Sequence, residues 1–449
     1  MPVRWPANLD AKGWAWARHR LRSLARLRGP VPRPALLQSR LDTSDPPQRT
    51  APTGPLRLLA CTHSLRTDGA PTSLFELLAG LIRSGDFSVE VLAFEDGPLR
   101  ARYEALGIPV RLQHAVQFRV WSRAQLDREV ASLAQTIRAS GAELVLANTL
   151  LCFAAVLAAE EAGQPSVWIP RESEPWQDYF RFLPDPVAQR AIGAIGLPRA
   201  VVFVAEATRQ VWHDFDEHRR FHVVPNGLDL SRFAPWQKAN RAELRAMLGW
   251  PADDVVFLCA GTVCARKGQA DLVEALERSE PAQRSRMRVV LVGDASDAYA
   301  QHLKRRAHQR LASSGSRVEF IDARSDIGHF YRASDAFVLS SRVESYPRVT
   351  LEAMAFGLPL IATPVFGVTE QLREPDDALF YRPADTVALA GHMQALMDQP
   401  LRHHFGECSR AALVRLPDHA AMCQRYRALL WEAVRRPGSI HAAGSGEPS

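Results

Sequence analysis

Short apolar runs alternate with amphipathic stretches along most of the chain. Such runs, bounded by turn residues, are typical of strands buried on both faces, and the stretches between them have helical spacing. Strands are predicted at residues 56–61, 88–94, 110–112, 144–147, 166–169 and 201–204, and again at 255–260, 288–293, 317–321, 336–339 and 360–362. This alternation predicts an α/β protein with mostly parallel, doubly wound sheets.

The stretch 334–367 predicts a strand, a loop, a short helix and a second strand. Pro347 lies near the first turn of the helix, which Ser345 or Tyr346 can cap, and Gly357 can end it in a left-handed conformation. The unpaired N–H groups at the start of such a helix suit a phosphate. This unit is therefore a candidate binding site for a phosphorylated ligand.

Two carboxylates lie at defined places in this unit. Glu344 is in the loop at the carboxyl end of the strand, where open α/β sheets bind ligands, and Glu352 is inside the helix. If a phosphate bound at the helix start, Glu344 would face the part of the ligand that precedes the phosphate, and Glu352 would face the part that follows it. Two surface carboxylates of an ordinary βαβ unit can have the same spacing, so the spacing alone leaves both interpretations open.

The residues around these carboxylates favour the binding site. The run Glu-Ser-Tyr-Pro-Arg-Val-Thr-Leu-Glu-Ala-Met-Ala-Phe-Gly-Leu-Pro, from Glu344 to Pro359, resembles the signature of glycosyltransferase family 4. Members of that family are retaining, use nucleotide sugars and have the two-domain GT-B fold. The resemblance implies a catalytic role for Glu344 beside the transferred sugar, though not as a nucleophile, and it implies that Glu352 holds the ribose hydroxyls. It further implies donor binding by the loop residues Ser345, Tyr346, Pro347, Val349 and Thr350.

The loop after the predicted strand 255–260 contains two cations and two glycines, which suit a phosphate, although an Arg-Lys pair on a loop is often only solvated. Lys267 matches a phosphate-binding lysine of the family, which implies a catalytic role for it. Thr262 stands where the family has an arginine, and we expect Arg266 to substitute for that arginine as a catalytic residue. Arg324 lies in the loop that cradles the nucleotide base in the family, so the resemblance implies a donor-binding role.

Two positions in the first half extend the resemblance, which covers residues 56–437. Gly69 lies in a strand–helix loop similar to the family's glycine-rich loop, which implies a close backbone approach to the donor. Arg171 and Glu172 stand where the family often has a histidine and an acid near the acceptor. We therefore expect an acceptor-side role for both, without proton transfer by Arg171, and a surface salt bridge is the alternative.

Composition is typical of a soluble globular protein of two or three domains, with 449 residues, 47% hydrophobic and 23% charged. The longest apolar run, 144–159, contains polar residues and predicts a strand and a buried helix rather than a membrane span. Six scattered cysteines favour reduced thiols and a cytoplasmic location. No metal site is expected, because Cys259 and Cys264 lack a second ligand pair and the Asp-Phe-Asp run at 214–216 has a helical context.

The basic charge of the chain is concentrated at its start. Residues 1–41 hold eight Arg and one Lys against one Asp, a balance of +8, so the net charge of +6 leaves −2 for the remainder. A nucleic-acid partner is therefore not expected. Trp14, Ala17, Leu21 and Leu24 follow helical spacing beside arginines, which predicts an interfacial helix on anionic lipid at the inner membrane face. A solvated or self-docked arm is the alternative.

Proline-rich stretches and motif positions predict five segments. They are an extension with a proline-rich linker (1–55), an acceptor-side domain (56–230), a donor-binding domain (231–415), a terminal helix that returns to the first domain (416–437) and a disordered tail (438–449).

Together these expectations predict a retaining, metal-independent glycosyltransferase that acts in polysaccharide biosynthesis. It would move a sugar from a nucleotide-sugar donor to a glycan or lipid-linked acceptor. The nucleotide sugar is a substrate, so no cofactor is expected. A nucleotide-sugar epimerase and a non-catalytic sugar-nucleotide-binding protein are alternatives, because both can share this architecture. A retaining glycosidase would hold two carboxylates about 5 Å apart but has no need of a phosphate clamp.

Overall fold

The computed structural model of the protein describes residues 31, 33–39, 54–113, 122–217, 219–293, 296–311, 317–324 and 326–435. These residues form two compact units. The N-terminal unit comprises the described residues of Gly29–Val204, Arg209–Val224 and His419–Ser449, and the C-terminal unit comprises those of Ala205–Thr208 and Pro225–Asp418.

The N-terminal unit contains a seven-stranded parallel sheet. Its strands are β1 (Leu56–Thr62), β2 (Phe87–Ala93), β3 (Val110–Leu112), β4 (Leu144–Asn148), β5 (Ser166–Ile169), β6 (Ala200–Phe203) and β7 (Phe221–Val223). Their order is β3-β2-β1-β4-β5-β6-β7. The chain first moves outward from β1 to β3 and then returns to β4, so the direction of winding reverses between β1 and β4.

Helices connect these strands, as a parallel sheet requires. They are α1 (Gly69–Arg83), α2 (Leu99–Ala105), α3 (Arg123–Ser140), α4 (Phe153–Ala162), α5 (Trp176–Tyr179), α6 (Asp185–Gly193) and α7 (Glu206–Val211), of which the first residues of α7, up to Thr208, are assigned to the C-terminal unit. Every residue of β4 is buried, and α4 is buried from Phe153 to Ala159. The prediction of a strand and a buried helix in 144–159 is therefore confirmed, because a helix that is apolar on all sides belongs in a core.

The C-terminal unit contains a six-stranded parallel sheet. Its strands are β8 (Val255–Ala260), β9 (Met287–Val292), β10 (Arg317–Ile321), β11 (Ala336–Leu339), β12 (Leu360–Ala362) and β13 (Leu379–Phe380). They lie in the order β10-β9-β8-β11-β12-β13, so the winding reverses between β8 and β11. The prediction of two parallel, doubly wound sheets is confirmed.

Most helices of this unit have buried residues, and only two four-residue helices, Ala234–Gln237 and Pro281–Arg284, have none among those described. The helices of the unit are α8 (Ala234–Gln237), α9 (Arg241–Met247), α10 (Ala270–Arg278), α11 (Pro281–Arg284), α12 (Ala298–Leu311), α13 (Gly328–Ala333), α14 (Arg348–Ala355), α15 (Val368–Gln371), α16 (Thr386–Ala395) and α17 (Gln399–Val414). The last described helix, α18 (His419–Arg435), belongs to the N-terminal unit, where His419 Nε2 lies 3.0 Å from the carbonyl oxygen of Glu76 on α1.

Local details differ from the sequence predictions at three places. The predicted caps of α14 are wrong: Pro347 itself is the N-cap residue, and no side chain caps the helix. The predicted left-handed stop holds, since Gly357 has a φ of +67°. Strands β7 and β13 were not predicted, because β7 has a histidine at its centre and β13 has only two residues, so neither forms an apolar run.

Residues 33–39, here called the strap, pack on the N-terminal unit, so the linker prediction does not hold for them. The Leu37 N–H donates to the carbonyl oxygen of Gly193 at 3.0 Å, and the Ser39 hydroxyl donates to Glu160 at 2.8 Å. A Cβ at Gly196 would collide with the Leu37 carbonyl oxygen, so a glycine is needed there. The strap is thus part of the folded unit.

The basic stretch before the strap and the predicted tail 438–449 lie outside the described residues. This includes the predicted helical stripe from Trp14 to Leu24. Among the residues that the structure describes, no helix combines the length and apolar composition needed to cross a bilayer.

Candidate functional site

Two loops meet at the point where the winding of the C-terminal sheet reverses. One follows β8 and contains a short 3₁₀ helix, Ala265–Lys267, and the other follows β11 and leads into α14. The Ser340 hydroxyl donates to the Lys267 carbonyl oxygen at 2.8 Å, and the Arg342 N–H donates to the Arg266 carbonyl oxygen at 2.7 Å. These backbone contacts fix the cations of the first loop beside the second loop, at the edge where open sheets bind ligands.

Glycines allow the loops to approach this closely. Gly268 has a φ of +66°, and a Cβ there would collide with the Ser340 carbonyl oxygen. At the end of β9, a Cβ on Gly293 would collide with the carbonyl oxygen of Gly261. Any side chain at either position would force the strand-end loops apart.

A charged cluster lies on these loops, here called the Glu344 cluster (Arg266, Lys267, Ser341 and Glu344). One oxygen of Glu344 accepts from Lys267 Nζ at 2.5 Å and from the Ser341 hydroxyl at 2.7 Å. Arg266 Nη1 lies 3.8 Å from the same oxygen. Burial by itself would raise the pKa of Glu344, but Lys267 and Arg266 outweigh it and hold the pKa below its usual range. Glu344 is therefore an ionised carboxylate held between two cations.

The structure thus brings together the three residues for which the sequence predicts catalytic roles. Arg266 also donates through Nη1 to the Val343 carbonyl oxygen at 2.9 Å, which aims its guanidinium along the second loop. Thr262 is exposed, and its carbonyl oxygen accepts from the Gln269 side chain at 3.0 Å. The expectation that Arg266 supplies the cation missing at Thr262 is consistent with this placement.

Glu352 lies on α14 within a second set of polar contacts. Its carboxylate accepts from the buried Tyr331 hydroxyl at 3.0 Å and from Arg232 at 3.4 Å, and Arg348 Nη2 lies 3.8 Å away. Burial raises the pKa of Tyr331 well above its usual value, and the neighbouring Glu352 adds to this, so the phenol stays a donor. Sequence reasoning missed Arg232 because its contact with Glu352 depends on tertiary structure. It also missed Arg348, although this residue stands four positions before Glu352 on the same helix, a spacing that could have indicated the contact.

The loop between the two carboxylates is held by side chains around it. Asn226 donates to the Tyr346 carbonyl oxygen at 3.1 Å, and Gln371 donates to the Pro347 carbonyl oxygen at 3.0 Å. The Thr350 hydroxyl is buried and donates to that same oxygen at 2.6 Å. Pro347 has no N–H, so amide contacts with an anion would have to come from its neighbours.

Arg324 lies in the loop after β10 and is half-exposed. Its guanidinium donates two hydrogen bonds of 2.7 Å to Asp326, and these lower the Asp326 pKa to about 2. The Arg324 guanidinium also lies 5.7 Å from the centre of the Phe330 ring. This exposed ion pair is compatible with contact to a nucleotide base, and the predicted role stays a prediction.

The remaining predicted residues lie on the N-terminal unit. Gly69 begins α1, and a Cβ there would have open space around it. Arg171 Nε donates to Asn148 Oδ1 at 2.6 Å, and its acceptor-side role stays a prediction. The Glu172 carboxylate accepts from the backbone N–H groups of Leu150 and Arg171, both at 2.9 Å, and burial raises its pKa. Glu172 thus orders the loop that carries Arg171.

Within the described residues, no group of three or more His, Cys, Asp or Glu side chains could hold a metal ion. The Asp-Phe-Asp run has another role, since Asp216 accepts from the N–H groups of Arg220 and Phe221 at 2.9 and 3.3 Å. Phe215, which stands between Asp214 and Asp216 in the sequence, is buried.

Two protein-family models match the chain. The model described as Glycosyltransferase Family 4 matches residues 67–232, and the model described as Glycosyl transferases group 1 matches residues 240–412. The second match contains the Glu344 cluster and Glu352.

Curated relatives match shorter stretches. The D-inositol 3-phosphate glycosyltransferase of Xylanimonas cellulosilytica is 33% identical over 199 residues, which is 43% of this chain and 47% of the relative. The mannosylfructose-phosphate synthase of Agrobacterium fabrum is 30% identical over 203 residues, 43% of each chain. The chain spans about half the length of the curated relatives it matches.

Solved structures share the fold over most of the chain. Anabaena HepE, in complex with UDP-glucose, has a TM-score of 0.71 at 22% identity, with 84% of this chain and 100% of that chain covered. Sucrose-phosphate synthase from Thermosynechococcus elongatus has a TM-score of 0.67 at 17% identity, with 84% and 98% covered. At these identities the likeness establishes the fold alone.

Proposed function

Because this chain belongs to the glycosyltransferases of family 4 and group 1, we propose that it transfers a sugar from a nucleotide-sugar donor to an acceptor hydroxyl. The observation that carries the proposal is the Glu344 cluster, in which Lys267 and Arg266 face one buried carboxylate at the binding edge of a doubly wound sheet. The cluster has a net charge of +1, so it attracts a diphosphate while it keeps one carboxylate for a sugar hydroxyl.

We propose a retaining transfer. The acceptor oxygen forms a bond to the anomeric carbon on the face from which the diphosphate leaves. The bond between that carbon and the phosphate oxygen breaks, and its electron pair and the hydroxyl proton go to the departing diphosphate. Lys267 and Arg266 stabilise the charge that develops on the diphosphate, which is the kind of electrostatic work that contributes most to many enzymes. Glu344 orients the sugar, and Glu352 holds the ribose.

The two cations also support a metal-independent reaction, since they stand where a divalent ion would otherwise neutralise the diphosphate. The nucleotide sugar is consumed as a substrate, and no separate cofactor enters the scheme. Structural neighbours with bound UDP or UDP-glucose make UDP-glucose the first donor to test. A glycan or lipid-linked acceptor is proposed on the family resemblance.

We expect UDP to raise the Tm of the protein without added metal, because the diphosphate would bridge Lys267 and Arg266, whose two positive charges are only partly offset by Glu344. Glu352→Ala should reduce the increase in Tm, since the ribose would lose its carboxylate partner. Thermal unfolding at several UDP concentrations, with and without EDTA, measures both effects.

The control for this experiment is Glu407→Ala, an exposed glutamate on α17 of the same unit. If UDP shifts the Tm of wild type and Glu352→Ala equally, Glu352 does not bind the nucleotide.

Labelled UDP-glucose tests the reaction itself. A labelled acceptor product supports transfer. A new nucleotide sugar without transfer identifies an epimerase, and no conversion identifies a binding protein.

We further propose that the basic stretch of residues 1–28 holds the enzyme at an anionic membrane surface, with each Lys or Arg there contributing about 1 kcal/mol. Deleting residues 1–28, which leaves the strap intact, should abolish sedimentation with phosphatidylserine vesicles and leave the Tm unchanged. Deleting residues 1–39 should also lower the Tm, because Val31 and the strap are lost.

The matched control keeps the full length and replaces Arg18, Arg22 and Arg26 by Gln. This variant should bind vesicles more weakly and with a smaller dependence on salt. If the wild-type protein does not sediment with such vesicles at low salt, the membrane proposal is wrong, and the stretch is then a solvated arm.

A further inference from the structure

An ion pair, here called the clasp (Asp271 and Arg342), lies beside the loop that carries the two proposed catalytic cations. Asp271 is in the first turn of α10, four residues after Lys267, and Arg342 is on the neighbouring loop after β11. Arg342 Nη1 and Nη2 each donate to one oxygen of the Asp271 carboxylate, both at 2.6 Å. The aspartate side chain is 6% exposed and the arginine side chain 31%. This two-point contact between planar groups fixes the orientation of both side chains.

Arg342 contacts the short 3₁₀ helix Ala265–Lys267 and the residues that follow it. Its backbone N–H donates to the Arg266 carbonyl oxygen at 2.7 Å, while its side chain binds Asp271 beyond the 3₁₀ helix. The Asp271 N–H donates to the Gly268 carbonyl oxygen at 2.9 Å. A Cβ on Gly268 would lie 3.4 Å from the guanidinium carbon of Arg342, so the guanidinium packs directly against this backbone. The clasp therefore fixes the 3₁₀ helix from its C-terminal side.

Asp271 also holds a loop from a third strand end. The Ala384 N–H, in the loop between β13 and α16, donates to Asp271 Oδ2 at 3.1 Å. Ala384 has a φ of +69°, a conformation that residues with a side chain rarely adopt. Such a conformation persists where the surrounding contacts hold the backbone in place. The clasp thus joins the loops that follow β8, β11 and β13 at one edge of the sheet.

We propose that Asp271 and Arg342 are positioning residues, which hold Lys267 and Arg266 in the geometry that stabilises the departing diphosphate. The inference rests on the proposed transferase function and adds to it a pair of residues that act through the cations. Electrostatic stabilisation is most effective when the charges are already in place before the reaction, so that no loop has to be reorganised during it. The clasp has no net charge, because its aspartate and its arginine offset each other. Its contribution is therefore to fix the cations, and not to add to their charge.

Two neutralising substitutions separate positioning from electrostatics, because they change the charge near the diphosphate in opposite directions. Asp271→Asn removes a negative charge, and Arg342→Gln removes a positive charge. If charge alone mattered, the first variant would bind UDP more tightly and the second more weakly. A positioning role predicts that both variants bind UDP about tenfold more weakly, the effect of one lost hydrogen bond to a charged group. Calorimetry at a fixed ionic strength measures the Kd.

Uridine provides a second readout, since it lacks the diphosphate. The Kd of uridine should be unchanged in both variants, whereas distortion of the whole unit would raise it as well. The double variant Asp271→Asn/Arg342→Gln should bind UDP no more weakly than the weaker single variant, because the two side chains form one contact.

Turnover of UDP-glucose should fall about 10–10²-fold in each single variant, because small displacements of catalytic groups cause losses of that size. Arg342→Lys retains the charge and can keep one hydrogen bond to Asp271, so its loss should be smaller.

Asp377 and Arg415 provide the matched control. They form a similar ion pair in the same unit, with side-chain exposures of 3% and 42%. Asp377 precedes β13, so this pair begins at the opposite edge of the parallel sheet. Asp377→Asn and Arg415→Gln should lower the Tm, as the clasp variants also should, but they should leave the UDP Kd and the turnover at wild-type values.

The two proposals fail in different ways. Absence of UDP binding in wild type, or UDP binding that Lys267→Met does not weaken, would contradict the donor site itself. If wild type binds UDP through Lys267 but Asp271→Asn binds it as tightly as wild type or more tightly, the positioning proposal alone is wrong. Equal weakening of UDP and uridine binding would also overturn it, because the clasp would then only stabilise the fold.

Discussion

Replacing Lys267 by Met should lower kcat by about 10²–10³-fold, the usual loss when one donor to a developing oxyanion is removed. Lys267 Nζ lies on the loop of the reversal point and pairs with Glu344 at 2.5 Å. When a diphosphate binds, the ammonium can shift its hydrogen bonds toward the phosphate oxygens, whose charge grows as the sugar departs. The measurement is steady-state turnover of UDP-glucose with product detection, together with the UDP-induced increase in Tm.

The same substitution should destabilise the protein, because the side chains of both partners are largely buried, at 16% and 9% exposure. Breaking a buried pair on one side costs about 3–5 kcal/mol, whereas removing both charges is often close to neutral. Lys267→Met combined with Glu344→Gln should therefore regain much of the lost Tm while staying inactive.

Lys304→Met provides the matched control, since Lys304 lies on α12 and contacts the Phe320 ring at 5.7 Å. Its turnover should be that of wild type. Near-normal turnover of Lys267→Met at matched folding would remove Lys267 from the mechanism.

The sequence allowed the α/β class, the two parallel sheets and the GT-B type of fold to be predicted, and the structure and its relatives confirm them. The reason is that strands of a parallel sheet are buried on both faces, so they appear in the sequence as continuous apolar runs. The convergence of Lys267 with Glu344 was also predictable, because residues that follow neighbouring parallel strands share one edge of the sheet.

Contacts that depend on long-range packing were not predictable. Arg232 is far from Glu352 in sequence, and only the folded unit brings its guanidinium to 3.4 Å from that carboxylate. The same holds for His63 and Thr149, whose proximity depends on the pairing of β1 with β4. The strap was predicted to be part of a linker because Pro30, Pro32 and Pro34, at and before its start, give the same pattern that an unpacked segment would show.

Glu344→Gln should lower kcat by about 10²-fold or more while UDP binding is retained or strengthened, if the loss resembles that of other preorganised polar groups. Gln has nearly the same shape but no charge, so the sugar loses an ionised acceptor. The carboxylate that offsets one of the two positive charges of Lys267 and Arg266 is also lost. The net charge of the cluster therefore rises from +1 to +2, which favours diphosphate binding. A weaker UDP effect in this variant would mean that Glu344 supports the nucleotide and not the sugar.

The pH dependence of stability gives an independent test of Glu344. Lys267 and Arg266 outweigh the effect of burial and hold the folded-state pKa below its unfolded value. The ionised pair therefore stabilises the fold fully above the unfolded pKa of about 4.3, and this contribution is lost as the pH falls through the folded-state pKa. The Tm difference between wild type and Glu344→Gln should accordingly be largest near neutral pH and shrink in acid. A difference that stays constant from pH 7 to pH 3 would contradict an ionised Glu344, because a neutral side chain contributes equally across that range.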